Sequence, residues 1–165
     1  MKDKAWILFF TMLLVSFFTG PVFAQGRATM SAPVIRSTAD QVTITVRIES
    51  LSADRTYRIG LGATGENAPG ATATIHSGEK ALPIEATNFV QGNTSAWWKV
   101  DQLSCIGFVV SGPAIPAAGQ SLLLQFTLPK ATADTFSKMY VFVSRDYGSQ
   151  RWYLEDGTEI DKSDW

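Results

Sequence analysis

Few residues in this 165-residue chain are suited to covalent chemistry: it has one histidine, His76, and one cysteine, Cys105. A Ser-His-Asp relay would have to pass through His76, beside Ser77, and no nucleophile elbow surrounds a serine. A cysteine nucleophile would need Cys105 next to His76. Cys105 instead opens the apolar run Ile106–Val110, which favours a buried, inert thiol. A single histidine also removes multi-histidine metal centres. Glu49, Glu85, Asp101, Asp146 and Glu155 are available for glycoside hydrolysis by paired carboxylates. That pairing is spatial, and on alternating strands such residues are first of all outward charges.

Two further patterns invite a chemical reading and lack its context. Gly60-Leu61-Gly62-Ala63-Thr64-Gly65 matches G-x-G-x-x-G, but Glu66-Asn67-Ala68-Pro69-Gly70 follows. A dinucleotide site needs a helix there, to bring its N-terminus to the pyrophosphate. The expectation is therefore a glycine-rich loop, Gly60–Gly70, inside the domain. Five acids lie between Glu155 and Asp164, without the spacing of a calcium loop, and they read as an acidic hairpin. No catalytic residue, metal or cofactor is expected.

Aromatic side chains carry the better binding signal. Trp97 and Trp98 are adjacent, so on a strand they face opposite ways. If Trp98 joins Val100 in the core, Trp97 stands outside beside Lys99. Trp152 and Leu154 share one face of their strand, with Tyr153 on the other together with Arg151 and Glu155. The candidate ligand-binding set is Trp97, Lys99, Tyr147 and Tyr153, an apolar platform on which a sugar ring stacks or a protein partner anchors.

The elements that must position these residues are strands. Gln41–Ser50 alternates Val42, Ile44, Val46 and Ile48 with polar residues, the period of a half-buried strand. Val34–Ser37, the Tyr57-Ile59-Leu61 alternation, Thr72–His76 and Ile84–Val90 continue the series. Ala96–Val100 and Cys105–Ser111 flank a turn at Asp101-Gln102. Ser121–Leu128 places Leu122, Leu124, Phe126 and Leu128 on one face. Lys138–Arg145 and Gln150–Glu155 follow, and Asp156-Gly157 is read as a hairpin turn toward Thr158–Asp161. Ala131–Lys138 has room for one helical turn. Eight to ten short strands with Gly, Pro, Asn and Asp between them predict an all-β antiparallel sandwich, with a barrel as the alternative. Immunoglobulin-like and cohesin-like architectures share this alternation. No Cys…Trp…Cys spacing carries the likeness further, so fold alone implies no function.

The N-terminus revises the composition. Met1–Lys4 carries two lysines, Ala5–Phe18 is almost wholly apolar, and Thr19-Gly20-Pro21 precedes Val22-Phe23-Ala24. This is the layout of a secretory signal peptide cleaved between Ala24 and Gln25. The expected domains are a signal peptide, 1–24, and one sandwich, 25–165. Six of nineteen aromatics leave with the signal. Lys2, Lys4 and Asp3 leave too, so 12 basic and 14 acidic side chains remain. That balance excludes a protein held to nucleic acid by charge. The expectation is a secreted, periplasmic or cell-surface module with a protein or carbohydrate ligand, and no membrane contact after cleavage. Oligomers would form through an edge strand or Cys105.

Overall fold

Among the described residues, nine strands of four or more residues, and two of only two residues, build a pair of antiparallel sheets packed face to face. The computed structural model describes residues 26–65, 68–92, 102–117, 120–148 and 151–165. Sheet A contains β1 (Thr29–Met30), β2 (Val34–Ser37), β3 (Gln41–Glu49), β5 (Thr72–Ser77), β6 (Lys80–Ala81) and β9 (Leu122–Pro129). Its order is β1-β3-β9-β5-β6, and β2 lies beside β1 along the same edge of β3. Sheet B contains β4 (Thr56–Ala63), β7 (Thr87–Gly92), β8 (Gln102–Ser111), β10 (Lys138–Asp146) and β11 (Trp152–Asp161), in the order β11-β10-β4-β8-β7. The two sheets do not close on each other, so the architecture is a sandwich and not the alternative barrel.

The core follows from the period of two. Val42, Ile44, Val46 and Ile48 of β3 and Leu122, Leu124, Phe126 and Leu128 of β9 all point inward and are buried. Opposite them sit Tyr57, Ile59 and Leu61 of β4, Phe108 and Val110 of β8, and Val141 and Val143 of β10. Burial of this kind contributes about 1.5–3 kcal/mol for each large apolar side chain. Lys130–Ala133 forms a helical turn directly after β9.

Several expected boundaries move. Gly60 to Ala63 belong to β4, so the glycine-rich loop begins only after Ala63. Gln102 is strand, paired with Gly92, rather than turn. The strand expected at Ile84–Val90 runs over Thr87–Gly92; Pro83 and the exposed Glu85 lie before it. Ala96–Val100 and the signal peptide fall outside the described residues.

The largest correction concerns Asp156-Gly157, which makes no hairpin turn. Asp156 pairs with Val143 and Gly157 with Phe142, so β11 passes straight through. Ser144 pairs with Leu154, which leaves Glu155 as the extra residue of a β-bulge. The bulge turns Glu155 into a buried position, where Oε1 lies 2.8 Å from Nε of Arg145. Ala28 N–H donates to Oε2 at 2.6 Å, and Met30 N–H donates to Oδ2 of Asp156 at 2.7 Å. Arg27 donates to the backbone oxygens of Leu154 and Glu155. These two acids therefore clasp the segment leading into β1. The others of the expected acidic hairpin have separate tasks. Glu159 and Asp161 pair with Lys138, and Asp164 accepts from the Asp161 N–H.

Candidate functional site

Sheet B buries side chains on its outer face as well as its inner one. Leu103, Cys105, Tyr140, Phe142 and Leu154 form a second apolar cluster there, with Phe89 packed against it. Its room comes from glycines in the two central strands. A Cβ on Gly60 would meet the Phe89 ring at 2.8 Å, and one on Gly62 would meet Sγ of Cys105 at 2.6 Å. On Gly107 it would stand 2.0 Å from the Ile59 carbonyl oxygen. Gly60-x-Gly62 is thus a notch in a strand that receives side chains, not a phosphate cradle.

Above this floor lies an open groove of about 960 Å³, lined by Arg58, Asp146, Arg151, Trp152, Tyr153 and the Val90–Gly92 stretch. Arg58 in this lining packs against two aromatic rings. Its guanidinium carbon is 4.7 Å from the Phe89 ring centroid and 4.2 Å from that of Trp152. Phe89 comes from the β7 edge and Trp152 from the β11 edge of the same sheet, so the two rings flank the cation from both sides. Burial lowers the Arg58 pKa; Cys105 and Asp146 oppose the shift. Gln91 is 1% exposed; its Nε2 donates to the Gly92 carbonyl at 3.2 Å, while Oε1 has no partner.

The β10–β11 connection sets the far wall. Gly148 N–H donates to Oδ1 of Asp146 at 2.7 Å, and Gly148 takes φ +87°, a conformation that favours glycine. Tyr147 N–H donates to the Arg151 carbonyl at 2.9 Å, closing the loop. Tyr147 and Tyr153 meet beside the groove with ring centroids 4.5 Å apart and planes tilted by 57°. Arg145 reaches the Tyr147 ring face at 4.4 Å and donates to its hydroxyl.

Of the four residues singled out from the sequence, Tyr147 and Tyr153 come together and are exposed, at 60% and 45%. Their tilt makes a corner rather than one flat platform. Trp97 and Lys99 lie outside the described residues. Trp152 and Leu154 share the outer face as expected, and Tyr153 sits opposite, paired with Arg145. Arg58 and Gln91 were not anticipated. Arg58 faces the same way as Gly60 and Gly62, and that alternation was the available sign.

The remaining candidates do not converge. His76 follows core residue Ile75 and so points from the outer face of sheet A, whereas Cys105 lies on the outer face of sheet B. The whole sandwich separates them. Cys105 is buried, its S–H donates to the Leu103 carbonyl, and burial pushes its pKa up to about 12. Such a thiol is a poor nucleophile and is screened from a second chain. Glu49 and Glu85 are exposed, and Asp101 lies outside the described residues. Among the described residues no group of three or more His, Cys, Asp or Glu side chains is arranged to hold a metal ion.

A scan against protein-family models finds no match for the chain, and neither does a search of curated proteins.

Proposed function

We propose that this is an exported, non-catalytic binding module whose groove on the outer face of sheet B takes a carbohydrate chain. Export rests on the signal-peptide layout of residues 1–24. The groove is the observation that supports the ligand class most. It sets the ring of Trp152 against Arg58, with Gln91, Asp146 and Arg151 in the same lining. Sugars present the matching chemistry, apolar C–H faces for the ring and hydroxyls for the polar rim.

The non-catalytic reading is supported by how the carboxylates are engaged. Asp146 is the one acid lining the groove among the described residues, and its Oδ1 already holds the turn at Gly148. Glu155 is committed to Arg145 and Ala28. Hydrolysis by two carboxylates needs a second acid across the scissile bond.

Titration of the purified protein with a panel of soluble polysaccharides, followed by tryptophan emission, tests this reading. A saturable shift is expected with at least one glycan. Trp152→Ala should weaken that binding by about tenfold, about 1.4 kcal/mol. Silence across the panel would overturn the carbohydrate reading in favour of a protein partner. Release of reducing ends would overturn the non-catalytic one.

A further inference from the structure

We infer that the ligand carries a carboxylate and that Arg58 reads it, so that the glycan class is one containing uronic acid residues. This rests on the groove being a carbohydrate site. Among the described residues no carboxylate lies within ion-pair distance of Arg58, and Asp146 acts on it from further off. The Phe89 and Trp152 rings both pack against the guanidinium, which holds it in place beside the groove. A planar fork held this way matches a carboxylate in bidentate geometry, which a lysine ammonium does not.

Two more observations narrow the chemistry. Nε of Arg58 and Oε1 of Gln91 are both buried without hydrogen-bond partners, one a donor and one an acceptor. Both atoms are shut off from solvent, so a ligand reaches them only as the Arg58 and Gln91 side chains turn toward the groove, and that turn relieves the cost of leaving them unpaired. A uronic acid supplies both complements, a carboxylate for the donor and hydroxyls for the acceptor. Asp146 in the same groove, together with the Gln91 oxygen, disfavours a multiply charged phosphate. Arg58 and Arg151 against Asp146 leave the lining one positive charge in excess. Burial already weakens the Arg58 proton's hold, so an incoming anion finds a poorly solvated cation.

The test compares a polyuronate with the same polymer after methyl esterification of its carboxylates, by calorimetry at two salt concentrations. The acid form should bind the wild-type protein at least about tenfold more tightly, as a charge-assisted pair replaces a neutral contact. Arg58→Lys keeps the charge but loses the fork, and should bring the two affinities to within about threefold. Equal wild-type binding of both polymers would overturn the inference and leave the groove reading intact. An undiminished preference in folded Arg58→Lys would overturn it too. If that variant does not fold, the wild-type ratio decides alone. Failure to bind any glycan, charged or neutral, would remove the groove reading itself.

Discussion

The outer faces of the two sheets are built differently. Sheet A turns out mainly polar side chains: Arg36, Thr43, Thr127 and Thr72 stand side by side across four strands, and Thr45, Gln125 and Thr74 form the next row with the exposed Val34 at its end. This is the usual economy of an antiparallel sheet with one face on the core and one in water. Sheet B is apolar on both sides, because β8 and β10 place Leu103, Cys105, Tyr140 and Phe142 outward as well as filling the core inward. A second apolar layer has to be covered by something. Phe89, Arg58 and Trp152 reach over it, and the last two also line the groove. The candidate ligand surface thus arises from covering an apolar face that the sandwich itself does not enclose.

The largest expected effect that would break this contrast is a stability difference between the two outer faces. Phe142→Ala should cost about 3–5 kcal/mol, the range for emptying a large buried aromatic site. Thr45→Ala, on the outer face of sheet A, should stay within about 0.5 kcal/mol. Urea unfolding of the two variants measures both. Similar costs would mean that the outer layer of sheet B contributes little.

A second test sharpens the contrast through pH. The folded Cys105 pKa of about 12 stands above its ordinary 9.0, and burial raises those of Tyr57 and Tyr140 from 10.0 as well. In each case the folded state keeps a proton that the unfolded chain gives up. The stability this contributes is complete below about pH 9 and is lost as pH rises toward 12. Cys105 alone contributes on the order of 1 kcal/mol per pH unit within that window. Thermal unfolding at steps from pH 8 to 11 should show the decline, and Cys105→Ala should make it shallower. Rapid alkylation of the native thiol at pH 8 would contradict the burial on which this depends.

The smallest expected effect lies where the two sheets are joined. Glu155 on β11 of sheet B holds the Ala28 N–H at the entry to β1 of sheet A, and pairs with Arg145. Glu155→Gln keeps the shape and removes the charge, so it should cost about 1–3 kcal/mol. Hydrogen exchange at the Ala28 amide should accelerate while the amides of β9 stay protected. Uniform acceleration across both sheets would mean that this clasp is part of the global fold rather than a local latch.

Much of the scaffold was legible because a single sheet face leaves a period-two trace. Leu122, Leu124, Phe126 and Leu128 could be assigned inward from their spacing, and the structure buries all four. Asp156-Gly157 misled because the dipeptide favours a turn locally. Pairing with Val143 and Phe142 along a ten-residue strand outweighs that preference, and the bulge at Glu155 absorbs the misfit. Gly60 and Gly62 misled for a related reason. Glycines break an alternating pattern, although here their missing side chains make space for Phe89 and Cys105.

By itself the sequence determined the class of fold, the inward faces of the long strands and the scarcity of catalytic groups. Each of these depends only on residue type and short-range period. Only the tertiary structure decided that Arg58, Phe89 and Trp152, from β4, β7 and β11, meet above one surface. Alternation says which way a side chain points, whereas the order of strands in the sheet decides what it finds there.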